Sequence, residues 1–218
     1  MVANRGNPLA LAVMCCLLEH AMHPYEVATT LRQRAKERSV KLNYGALYGV
    51  VDSLRKRGLI EAKETRREGM RPERTVYELT ASGRAEVTDW LAELLQTPVT
   101  EYPQFVAALS FLPALAPDEA VHLLEARLVR LRLEQAGEEA ARELVQKVGL
   151  PRLLWLEEEF RGRLRATELE YVRELVRDIR SGALEGTDWW RLVHERGPEQ
   201  VPPPFDNRAL HDNHPGED

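Results

Sequence analysis

Apolar positions recur at helical spacing in the three segments that open the chain. NPLALAVMCCLLEH (7–20) is apolar almost all round, which predicts a helix central to a core. Asn7 is a good N-cap, and Pro8 suits the first helical position, where its missing N–H costs nothing. AMHPYEVATTLRQRAKE (21–37) predicts a second helix starting at Pro24, with Val27, Ala28, Leu31 and Ala35 on one stripe. A third helix is expected from about Asn43 to Arg57, because Leu47, Val50, Val51 and Leu54 fall at i, i+3, i+4 and i+7. Its opposite face carries Gly45, Gly49, Asp52 and Lys56, flanked by Tyr48 and Ser53. Each of those glycines weakens the helix by about 1 kcal/mol relative to alanine. Close approach of another surface is one physical reason to keep them. Gly58 ends the helix.

The period then changes. Leu59–Thr65 and Arg74–Leu79 read as strands, and the polar loop between them, with Gly69 and Pro72, makes them a hairpin. Thr80 caps a fourth helix that runs through about Gln96 with Val87, Trp90, Leu91 and Leu94 on its apolar side. Three compact helices with a two-stranded hairpin behind the third describe a winged helix-turn-helix. The expected fold is mainly α, with that domain at 1–96 followed by long helices.

Residues 97–196 differ in kind. Val121, Leu124, Leu128 and Leu131 form one narrow seam, and Leu153, Leu156, Phe160, Leu164, Thr167, Tyr171 and Leu175 form another. Both run close to the 3.5-residue repeat of paired helices. Two such helices cannot bury everything on each other, so a partner helix from a second copy is expected, making 97–196 a dimerisation domain. From 197 the chain turns Pro- and Asp-rich and is expected to be disordered to residue 218.

Charge sharpens this picture. The net charge of −5 over 218 residues hides an asymmetry: 15 Lys and Arg against 12 Asp and Glu in 1–96, but 15 against 23 in 97–218. Within 32–74 the balance is 13 against 6, or +7. A basic island in an acidic chain is the footprint of a nucleic-acid contact surface, and equally of a solvated face. Part of it has a structural explanation, since Arg32, Arg34, Lys36 and Arg38 lie where cations favour a helix C-terminus.

Other classes recede. No stretch approaches the roughly 20 apolar residues that span a bilayer, and Leu9–Leu18 reads as a buried helix rather than a signal peptide, so a cytoplasmic protein is expected. Cys15 and Cys16 are helix neighbours that cannot pair with each other and read as small buried hydrophobes. There is no zinc spacing, no phosphate-binding glycine loop and no nucleophile–base set, so neither an enzyme nor a cofactor is expected. His211 and His214, in the terminal segment, are weak metal candidates.

If the third helix enters a DNA major groove, the hairpin reaches the flanking backbone or minor groove. The candidate contacts are Tyr25, Lys41, Asn43, Gly45, Tyr48, Ser53 and Lys56, with Arg66, Arg71 and Arg74 on or beside the wing. Cations there neutralise phosphates and give affinity with little sequence information. Each residue has a structural alternative. Tyr48 packs at a helix edge, Tyr25 and Asn43 cap helices, and Arg74 pairs with Glu64 or Glu68. One of Val76 and Tyr77 belongs to the core. Trp90, Tyr102, Phe105 and Phe111 surround the junction of the two domains, as an effector pocket or as ordinary core.

LALAVMCCLL (9–18), MHPYEV (22–27), GALYGVVDSLRKRGLI (45–60), EGMRPERTVYELTASGR (68–84) and WLAELLQTPVTEYPQFVAALSFL (90–112) together resemble the PadR family of bacterial transcriptional regulators. The resemblance covers most of residues 8–112. It implies a homodimer with a C-terminal helical dimerisation region, repressing a promoter through a pseudo-palindromic double-stranded DNA operator. Relief by a small aromatic or amphipathic ligand is also implied. The family's GSLY-type segment stands here as GALY, which makes Tyr48 the implied DNA-contacting tyrosine and puts Ala46 where the serine would be. The rival is a winged-helix protein-interaction module that binds no operator.

Overall fold

The structure, a computed structural model, describes residues 5–66 and 74–204. The chain divides into two compact units, with the boundary between Glu101 and Tyr102.

The first unit opens with α1 (Pro8–Glu19), α2 (Pro24–Gln33) and α3 (Tyr44–Lys56). Each begins on a side-chain cap. Asn7 Oδ1 accepts the Leu9 N–H at 3.0 Å, His23 Nδ1 accepts the Tyr25 N–H at 3.1 Å, and Asn43 Oδ1 accepts the Gly45 N–H at 2.9 Å. α2 stops earlier than its pattern suggests. Ala35 takes a left-handed conformation (φ 54°), and a 3-10 turn at Lys36–Arg38 redirects the chain toward α3. Apolar spacing alone does not reveal that break, because Ala35 continues the stripe of Val27, Ala28 and Leu31.

Strands β1 (Ile60–Arg66) and β2 (Arg74–Leu79) pair antiparallel, with Ile60 opposite Leu79 and Arg66 opposite Arg74. The register shifts between Ala62 and Glu64. Met22, in the link between α1 and α2, exchanges both backbone hydrogen bonds with Tyr77 at 2.9 and 3.0 Å, which ties the sheet to the helices. Tyr77 packs against the core. α4 (Ala81–Gln96) starts at Thr80, whose hydroxyl donates to the Gly58 carbonyl at 2.8 Å and accepts the Gly83 N–H at 3.0 Å. One side chain thus caps α4 and fastens it to the turn between α3 and β1.

The core of this unit gathers Leu9, Val13, Met14 and Leu17 of α1, Val27 and Leu31 of α2, and Leu47, Val51 and Leu54 of α3. Ile60, Leu79, Val87 and Trp90 complete it. Cys16 is buried among them, and desolvation pushes its thiol up to about 11, as expected of a packing residue.

The second unit comprises α5 (Gln104–Ser110), α6 (Pro117–Lys147), α7 (Leu156–Ser181) and α8 (Thr187–Arg196). The long helices α6 and α7 pack along each other. Val121, Leu124, Leu128 and Leu131 of α6 are buried, as their spacing predicts. On α7 the buried set is Leu169, Val172, Val176 and Ile179, a different stripe from the expected one. Phe160, Leu164 and Tyr171 of that expected seam remain 64%, 56% and 49% exposed. α8 folds back on α6, and the buried Trp190 donates from Nε1 to the Leu115 carbonyl at 2.7 Å. The expected disordered tail differs in its first residues: Pro198–Gln200 form a 3-10 turn, Val201 is buried, and Trp189 Nε1 donates to the Pro202 carbonyl at 2.9 Å. His211 and His214 lie outside the described residues.

Candidate nucleic-acid interface

α3 is amphipathic in the way a groove-reading helix needs. Leu47, Val50, Val51 and Leu54 bury one side, and Gly45, Ala46, Tyr48, Gly49 and Ser53 are exposed on the other. A Cβ built on Gly49 meets nothing within 4 Å, and one on Gly45 meets Asn43 Oδ1 at 3.5 Å. Packing within the chain therefore requires neither glycine. Beside this face Ser53 lines a recess of about 330 Å³ with Ala46 and Gly49, and Tyr48 borders another of about 290 Å³ with His23, Asp52 and Tyr77.

The cations near α3 fall into two kinds. Lys56 and Arg55 both pair with Asp52, at 2.6 and 3.1 Å, so the three residues together carry one net positive charge. Those hydrogen bonds, from Lys56 first, hold the Asp52 carboxyl below its usual range. Arg57 pairs with Glu86 at 3.2 Å, and Arg34 with Glu19 through two hydrogen bonds. Arg32 is different. It is exposed, its guanidinium lies 4.6 Å over the Tyr44 ring, and it donates to the Tyr44 hydroxyl. Tyr44 in turn stacks on Tyr25, with ring centroids 6.3 Å apart and planes 15° apart.

The residues expected from sequence distribute as follows. Gly45, Tyr48, Ser53 and Lys56 share the outer side of α3, with Tyr48 51% exposed. Asn43 caps that helix through its Oδ1, and Lys41 is exposed just before it. Tyr25, 59% exposed, is drawn to the start of α3 by its stack on Tyr44. Arg71 lies outside the described residues, as do the side chains of Arg66 and Arg74. Arg32 and Tyr44 were not among the expected contacts. Their pairing is a contact between α2 and α3 that leaves no mark in the spacing of the sequence.

Of the four aromatic residues expected at an effector pocket, Trp90 lies in the first unit and Tyr102, Phe105 and Phe111 lie in the second. Trp90 is 2% exposed in the core of the first unit, where α4 must pack on α1, and Tyr102 is 90% exposed. Phe105 and Phe111 do share a cavity of about 550 Å³ in the second unit, with Leu112, Leu124, Arg130 and Glu134. Arg127 stacks over Phe105 at 3.7 Å while its Nε donates to Glu168 at 2.7 Å. Among the described residues no cluster of His, Cys, Asp and Glu could hold a metal ion, and no helix is long and apolar enough to cross a membrane.

The fold and this surface define a winged helix-turn-helix with an attached helical unit. Residues 13–89, within the winged helix, match the transcriptional regulator PadR-like family. Bacillus subtilis PadR in complex with operator DNA superposes with a TM-score of 0.65 at 18% identity, over 78% of this chain and 98% of that one. The same protein in complex with p-coumaric acid gives 0.64 at 17% identity, over 77% and 96%. The Vibrio cholerae virulence activator AphA gives 0.61 at 14% identity, over 79% and 98%. At these identities the solved structures establish the shared fold. Comparison with curated protein sequences returns no match.

Proposed function

We propose that this PadR-like regulator acts in the cytoplasm as a homodimeric repressor whose two α3 helices bind a pseudo-palindromic operator. The observation that carries the reading is the outer side of α3: two glycines that internal packing does not require, set among Tyr48, Ser53 and Lys56. A bare helix side lets the backbone approach base edges, and the tyrosine, serine and lysine supply hydrogen bonds. The operator complex of Bacillus subtilis PadR supports the same use of the fold.

Dimerisation uses the second unit. Phe160, Leu164 and Tyr171 form an exposed stripe on α7, and a second copy is the partner that their helical spacing suits. The Phe105–Phe111 cavity is the proposed effector site, for an amphipathic ligand of aromatic size. The p-coumaric acid complex of the Bacillus subtilis protein supports that ligand class.

The test is binding of the protein to a fluorescent duplex of its own upstream region, against a scrambled duplex, with p-coumaric acid added as a first effector probe. Tighter binding to the native duplex supports the operator reading, and weakening by the probe supports the effector site. Equal weak binding to both duplexes favours the protein-interaction module instead.

A further inference from the structure

Around α3, most of the cations described already have a carboxylate. Arg34 is matched by Glu19, Arg55 and Lys56 by Asp52, and Arg57 by Glu86. A phosphate approaching any of these competes with an anion in place. Arg32 meets Tyr44 instead, and among the described residues no carboxylate pairs with it. A π face and a phenol orient a guanidinium without cancelling its charge. One N–H goes to the Tyr44 hydroxyl, and the guanidinium has four more to offer.

The rings need an explanation too. Tyr25 is 59% and Tyr44 36% exposed, although they stack on each other. Two partly exposed rings at the starts of α2 and α3, with an arginine reaching them from the last turn of α2, make a positively charged edge beside the reading helix. Ordering an arginine before contact removes part of the entropy cost of binding.

We propose that Arg32 is a phosphate contact of the DNA complex, and that Tyr44 and Tyr25 are positioning residues that hold its guanidinium toward the backbone flanking the groove α3 reads. This rests on the DNA-binding reading above and adds to it a contact that is blind to base sequence. Its test therefore needs no operator. A mixed-sequence fluorescent duplex is the probe, and the readout is the slope of log affinity against log salt.

Each phosphate contact contributes a slope of about 0.9, so Arg32→Gln should lower the slope by about 0.9 for each bound protomer. Arg32→Lys should keep most of the slope but weaken affinity several-fold, because the charge stays and the planar stack goes. Tyr44→Leu should do the same, and Tyr44→Phe should lie between it and the wild type. Thermal melts confirm that each variant is folded. A folded Arg32→Gln protein with unchanged slope and affinity overturns the contact while leaving DNA binding by α3 intact. Should Arg32→Gln not fold, Arg32→Lys and Tyr44→Leu decide, and unchanged affinity in both overturns the proposal. Failure of the wild type to bind duplex at low salt overturns the DNA-binding reading itself, and this inference with it.

Discussion

Gly83 lies directly against the backbone of Leu59: a Cβ at residue 83 would fall 2.0 Å from the Leu59 carbonyl oxygen and 2.7 Å from Leu79 Cδ2. The first turn of α4 therefore rests on the α3–β1 junction with no room for a side chain, and the Thr80 hydroxyl bonds link the same two elements. Gly83→Ala should cost about 3 kcal/mol or more, because a fixed backbone atom has to move. A urea titration followed by circular dichroism checks this, and a midpoint near that of the wild type would show that α4 can shift freely.

Gly49 is the opposite case. It sits inside α3 with open space where its Cβ would be. Gly49→Ala should stabilise the free protein by about 0.5–1 kcal/mol through helix propensity. The same change should weaken duplex binding if α3 docks by its bare side. Higher stability with unaltered DNA affinity would show that the backbone at this position makes no close approach.

Acid should loosen the first unit through identifiable carboxylates. Hydrogen bonds from Arg5 depress the Glu86 carboxyl, and those from Arg34 depress Glu19, both below the ordinary 4.5. Asp52 is depressed below its ordinary 3.8 by Lys56 and Arg55. A carboxylate whose folded pKa lies below its unfolded value stabilises fully above the unfolded value, and that stability disappears as pH falls through the folded one. The melting temperature should therefore hold above about pH 5 and decline as the pH drops below about 4.5. Arg5→Gln should shallow the decline, and an identical pH profile would show that the Arg5–Glu86 pair contributes nothing.

The exposed stripe of α7 makes the dimer testable. Phe160→Glu combined with Leu164→Glu places two charges where apolar burial is proposed, leaving the α6–α7 seam of Leu128, Leu131, Leu169 and Val172 untouched. Sedimentation should report a dimer for the wild type and a monomer for the double variant, with helical content unchanged. A double variant that still sediments as a dimer would move the interface elsewhere.

Most of the winged helix was legible because its signals are local. Asn7, Asn43 and Thr80 announce helix starts, and all three cap as read. The second unit was less legible. A 26-residue helix with apolar residues on two stripes offers two possible faces, and periodicity does not choose between Leu164–Tyr171 and Leu169–Val176. Their environment decides: Leu169, Val172 and Val176 meet α6, and the other stripe is left exposed. Trp90 shows the same limit. Its sequence neighbourhood suggested a junction, but its helix phase with Val87 commits it to the first core. Arg32 and Tyr44 meet only once α2 and α3 are folded, so no spacing rule marks them.

The central claim is that two α3 helices of one dimer read adjacent turns of a DNA duplex. Hydroxyl-radical footprinting of the upstream region tests it most directly. The account predicts two protected patches on one face of the duplex, related by a dyad and about 34 Å apart. Tyr48→Phe should weaken both equally. Uniform cleavage at protein concentrations that saturate the dimer would contradict it, and so would a single patch without a dyad.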